Sequence, residues 1–255
     1  MASIGASGGE IGSFTRRFYV VRRDRQSLHV PARRADFRPM PARVFLLSPA
    51  SCSGQRCRQL LDRRAAFDLA KRMRGEGAPL GEVFAFLSSL YFRGKLTYAR
   101  RFASPLGGVP GAFVITAGRG LVLPEATVTL RDIRAFARVP VDAAESRYAE
   151  PLRDHAADLR ARLPRDAEIV LLGSIATAKY VDVLLPVFGR ALLFPGDFVG
   201  RGDMSRGGQL LRAARTGVEL AYRPIDGAER RGARAIRLDA LSTDPSRPQR
   251  PASPS

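Results

Sequence analysis

Short continuous apolar runs alternate with stretches of helical period between residues 44 and 222, the mark of strands buried on both faces by crossing helices. Val44-Phe45-Leu46-Leu47 begins abruptly and predicts a strand over Val44 to Ser48. Further strands are predicted at Ala112 to Thr116, Ile169 to Leu172 and Ala191 to Phe194, with an edge strand at Val218 to Tyr222. Leu60, Leu61, Ala65, Leu69 and Met73 recur at helical spacing up to Gly75. A second helical stretch runs from Leu80 to Phe92, and Gly94 is expected to interrupt it before a further turn or two over Lys95 to Phe102. Residues 146 to 163 and 175 to 188 supply the remaining helices. The pattern therefore predicts an α/β fold, a single domain with a mostly parallel sheet flanked by helices.

The ends read differently. Residues 1 to 43 carry arginines, glycines and prolines without a sustained apolar period, and 242 to 255 are rich in Pro, Ser and Arg. Both read as disordered tails around a globular domain at 44 to 241. Met40, just before the first strand, is an alternative start. The two cysteines, Cys52 and Cys57, lack CxxC spacing and are too few for a disulfide framework, and no apolar run approaches the ~20 residues of a membrane span. A cytoplasmic protein is the expectation, with no membrane partner.

Net charge changes the picture of partners. The chain carries 42 Lys and Arg against 24 Asp and Glu, a formal charge of +18, and nearly all the cations are arginine. Such a charge favours polyanions, although arginine excess also follows from GC-rich coding. Nucleic acid and a phosphorylated small molecule are both partners that this charge suits.

Ligands of open α/β sheets bind beyond the carboxyl ends of the strands. Three loops there are small and hydroxyl-bearing: Ser48-Pro49-Ala50-Ser51-Cys52-Ser53-Gly54, Thr116-Ala117-Gly118-Arg119-Gly120 and Gly173-Ser174-Ile175-Ala176-Thr177. They suit a phosphate or carboxylate, or else cap helices and make turns. With the Pro195 to Gly208 segment they nominate Ser48, Ser51, Ser53, Arg119, Ser174, Thr177, Lys179, Arg201 and Arg206 as anion ligands. Asp197 and Asp203 are the carboxylates best placed for catalysis. The only histidines, His29 and His155, stand apart from any serine-acid pair, no zinc ligand set is visible, and no cofactor fingerprint is complete. The segment Tyr91 to Phe102 interleaves aromatic residues with cations. Arg93, Lys95, Tyr98, Arg100 and Arg101 could hold phosphates and stack bases, or form an amphipathic helix whose Tyr98 and Phe102 face the core.

The order of these loops resembles the YaaA peroxide-stress family and related uncharacterised bacterial domains. Leu47-Ser48-Pro49-Ala50 looks like that family's Leu-Ser-Pro-Ala opening, Gly118 to Pro124 is similar to its Gly-Leu-Tyr-Gly-Leu-Leu-Arg-Pro segment, and Gly173 to Tyr180 looks like its Asn-Leu-Ala-Ser-x-Glu-Tyr. No Pro-Tyr-Arg follows Pro124, and the third motif lacks the family's Asn and Glu. The resemblance implies a compact α/β domain with a role near DNA or oxidative damage.

Two functions follow from the sequence: a nucleic-acid-binding or DNA-protection protein, and an enzyme acting on a phosphorylated nucleotide or nucleobase-containing substrate. Convergence of Ser48, Arg119, Ser174 and Asp203 on one cleft would favour the second.

Overall fold

The computed structural model describes residues 41 to 230. The proposed tails before 41 and after 230, and the Met40 start, lie outside the described residues. The chain opens with β1 (Arg43–Leu47), then α1 (Gln55–Leu61), α2 (Asp68–Arg74), β2 (Ala78–Pro79), α3 (Leu80–Ser88) and α4 (Leu90–Phe102). It continues through β3 (Ala112–Thr116), β4 (Gly120–Val122), β5 (Thr127–Val128), α5 (Leu130–Ala137), α6 (Ser146–Arg162) and β6 (Glu168–Leu172). It closes with α7 (Ala178–Phe188), β7 (Leu192–Pro195), α8 (Asp203–Thr216) and β8 (Tyr222–Pro224).

The main sheet has the order β4-β3-β1-β6-β7-β8. Its four inner strands are parallel, and β4 and β8 close the edges antiparallel. Strand alternation divides the core into two layers. Phe45 and Leu47 of β1 join a cluster with α1 to α5 and α8, while Val44 and Leu46 join another with α6 and α7. The connection leaving β1 thus passes over one face and that leaving β6 over the other, so a crevice opens between the carboxyl ends of these adjacent strands.

The α/β organisation matches the hydrophobic pattern, but several elements differ. The single helix expected through Met73 is two, α1 and α2, separated by residues 62 to 67. The break expected at Gly94 falls instead at Ser89, which holds φ 50°, ψ −120° between α3 and α4. Helix α4 runs unbroken through Gly94 because that glycine is a packing surface: a Cβ there would sit 2.8 Å from the carbonyl oxygen of Gly207 in α8. The reverse holds too, since a Cβ on Gly207 would lie 2.9 Å from the Cα of Tyr91. Two glycines thus let the backbones of α4 and α8 touch, and the segment read as a ligand-binding loop after β7 is largely helix from Asp203 onward. The expected edge strand at 218 to 222 starts only at Tyr222.

Candidate functional site

A cavity of about 690 Å³ sits at the crevice where β1, β3 and β6 end. Its polar wall comes from the loops after β1 and β6 and the start of α7: Ser48, Ser51, Ser53, Ser174, Thr177 and Lys179 all line it. Its apolar wall comes from α3, the end of α5 and the chain that follows, through residues such as Phe84, Leu87, Phe136 and Val139. Asp203, the first residue of α8, also reaches it. The capping box that starts α5, with the Thr129 backbone N–H donating to the Asp132 carboxylate at 2.8 Å, fixes the approach of this apolar segment. Burial, with like charge between the two thiols, pushes the Cys52 thiol up to about 12, so this cavity residue is a thiol rather than a thiolate.

Beneath the cavity floor lies a buried amine. Lys95 of α4 is 1% exposed, and its Nζ sits 2.5 Å from the main-chain oxygen of Ser48 and 2.8 Å from its Oγ. Nζ also lies 4.4 Å from the ring centroid of Tyr91 and 4.9 Å from that of Phe92. Burial brings its pKa down to about 7, with Asp203 opposing the shift and Arg206 adding to it. Ser48 is 5% exposed and is the point where the cavity meets this amine. Its hydroxyl also interacts with that of Tyr180, a cavity residue whose pKa burial raises to about 12. Gly173, at the end of β6, holds the Ser48 side chain in place: a Cβ at 173 would come within 3.0 Å of the Ser48 Cβ. Across the cavity floor, the Tyr91 hydroxyl is buried beside the Arg206 guanidinium, and burial raises its pKa despite that cation.

The structure divides the residues chosen from the sequence. Ser48, Ser51, Ser53, Ser174, Thr177, Lys179 and Asp203 share the cavity. Arg119 does not line it; this exposed side chain is paired with Asp132 at 3.2 Å. Arg201 lines a separate cavity of about 340 Å³ and donates to the Asp197 carbonyl at 2.9 Å. Asp197 itself is exposed and lines neither of these two cavities. Arg206 is buried, and its guanidinium donates twice to the Phe198 carbonyl, at 3.2 and 3.0 Å. An anion site built jointly from Arg119, Ser174 and Arg201 is therefore not what this fold assembles.

The aromatic-basic segment is the amphipathic alternative. Lys95 and Tyr98 face inward, so neither offers itself to a nucleic acid. The Tyr98 hydroxyl lies 2.6 Å from that of Tyr222 and accepts from the Leu220 N–H at 2.9 Å. Arg93, Thr97, Arg100 and Arg101 form the exposed stripe, and Arg100 pairs with Glu125 at 3.0 Å. What the sequence missed is the Ser48–Lys95 contact. A lysine on the apolar side of a helical period, among aromatic residues, was its one visible signal.

Fold and cavity together define a mostly parallel α/β domain with a small-ligand-sized cleft at its strand switch. No family model, curated protein or solved structure matches the chain. Among the described residues, no helix is long and apolar enough to cross a membrane, and no three His, Cys, Asp or Glu side chains cluster to hold a metal.

Proposed function

We propose that this protein binds a small nucleobase-containing ligand, a phosphorylated nucleotide in the first instance, and acts on it as an enzyme. The observation that carries this reading is the convergence of Ser48, Ser51, Ser53, Ser174, Thr177, Lys179 and Asp203 on one cavity that also has an apolar wall. A flat base suits the apolar wall, and an anionic group suits Thr177 and Lys179 where α7 begins, a turn without acidic residues. The volume, about 690 Å³, lies within the range of such sites. Native mass spectrometry of the full chain, followed by titration with nucleoside monophosphates, tests it. The expected result is a retained or added small molecule that Ser174→Trp, which fills the cavity, displaces. A chain that retains nothing and binds no nucleoside monophosphate would overturn it.

A nucleic-acid-binding role rests on a different observation: the charge of +18 and the outward arginine stripe of α4. Here Arg93, Arg100 and Arg101 meet phosphates, while Lys95 and Tyr98 take no part. Replacing the three arginines with glutamine should reduce the log-log salt slope of duplex binding by about 2 to 3. An unchanged slope in fluorescence anisotropy would remove this surface.

A further inference from the structure

We propose that Ser48 is a catalytic nucleophile activated by Lys95, and that the cleft carries out acyl transfer to water from an ester or amide substrate. This rests on the reading of the cavity as a ligand site and adds a reaction to it. The geometry supplies each part. Ser48 lines the cavity, and its Oγ is 2.8 Å from an amine that is 1% exposed. A neutral amine has two N–H groups and one lone pair. With one N–H donating to the Ser48 main-chain oxygen 2.5 Å away, the lone pair is free to accept the Ser48 hydroxyl proton.

The position also favours the neutral amine. The groups that face Lys95 are Ser48 above it, Tyr91 on its own helix, Tyr180 of α7 beyond Ser48, and Asp203 and Arg206 of α8. Burial outweighs the favourable charge of Asp203, and Arg206 adds repulsion, so the pKa falls to about 7. That value suits a general base at neutral pH. The neighbouring candidate nucleophile, Cys52, is a protonated thiol with no base in contact; its sulfur lies 3.8 Å from the Ala50 carbonyl.

The reaction balances with water alone. Ser48 Oγ forms a bond to the substrate carbonyl carbon while its proton passes to Lys95 Nζ. Collapse of the tetrahedral adduct breaks the bond to the leaving oxygen or nitrogen, which takes that proton from Nζ. Water then adds to the acyl-serine, giving its proton to Nζ, and the acid departs as Ser48 Oγ regains a proton. The start of α7, a turn without acidic residues, offers positive charge to the developing oxyanion.

A fluorophosphonate probe tests this on the full chain, since attack forms an Oγ–P bond and releases fluoride. Peptide mass spectrometry should find the adduct on Ser48, and not on exposed Ser51 or Ser53. The labelling rate should rise through a midpoint near pH 7. Lys95→Met and Lys95→Arg, neither of which can accept the proton, should lower the rate about 10²- to 10⁴-fold. Thermal melts identify any variant that fails to fold, and the wild-type pH profile carries the test in that event. No adduct at Ser48 between pH 6 and 10, or labelling without pH dependence, would overturn the dyad. Nucleoside monophosphate titration of the same sample separates the two ideas. Binding without Ser48 labelling rejects the dyad and keeps the ligand site, and labelling without nucleotide binding does the reverse.

Discussion

The two faces of the sheet are built from different material. Behind it, α6 and α7 cover Val44, Leu46, Ile169 and Leu171 with mostly aliphatic side chains such as Leu152, Leu159, Val183 and Leu184. In front, Phe45 and Leu47 share a cluster with aromatic rings of α3 and α4, Phe84, Phe92 and Tyr98 among them, and with Leu210 and Ala213 of α8, and within or beside this layer lie Lys95, Arg206 and the Tyr98–Tyr222 hydroxyl pair. Buried polar groups cost free energy unless they are paired, and these are: Lys95 with Ser48, Arg206 with the Phe198 carbonyl and Tyr98 with Tyr222. That layer borders the cavity together with the start of α7 from the back. The back face is the more aliphatic of the two, and the front face holds the buried cations Lys95 and Arg206.

The sharpest way to break this comparison is to cut into the back face. Leu184→Ala, at a site with no exposure, should destabilise the protein by about 2–5 kcal/mol in chemical denaturation, equally at pH 6 and pH 9. It should leave Ser48 labelling per folded molecule unchanged.

Gly207→Ala should cost about 1–3 kcal/mol, because the new Cβ would meet the Tyr91 backbone of α4 at 2.9 Å. Unlike the back-face variant, it shifts α4 and with it Lys95, so Ser48 reactivity should fall beyond the loss of stability. Equal reactivity per folded molecule would show that α8 does not position the amine.

Lys95 should give the front face a pH dependence that the back face lacks. Its folded pKa of about 7 lies below the ordinary 10.5, so between those values the unfolded chain holds the extra proton. Stability attributable to this group therefore rises as pH increases from about 7 towards 10.5, with a slope of at most about 1.4 kcal/mol per pH unit. Lys95→Met should remove that slope and be relatively more stable at low pH, as denaturation midpoints across pH 6 to 10 would show. The smallest effect belongs to the solvent edge. Arg100→Gln breaks an exposed pair with Glu125 and should change stability by less than about 1 kcal/mol, less still at high salt.

Local pattern was enough for the central strands, because residues such as Val44 to Leu47 and Ile169 to Leu172 are apolar on both faces and no solvent-facing element reads that way. It was enough also for Ser48, Ser174 and Thr177, since hydroxyls directly after buried strands fall at the strand ends whatever the helices do. Helix α5 was legible in principle through the Thr129 to Asp132 capping box and was missed.

The sequence by itself thus determined an α/β domain with parallel strands and the small polar loops beyond them. It could not determine that Gly94 and Gly207 are contact points rather than breaks, because a glycine's local preference is for turns and only a second helix pressed against it reverses that meaning. Nor could it separate Arg119 and Arg201 from Ser174, since sidedness depends on how the crossings fold back. Tertiary structure also decided the fate of Lys95. A cation 47 residues from Ser48 in the chain reads as a solvated charge until α4 packs beneath β1, and there desolvation turns it into an amine able to accept a proton.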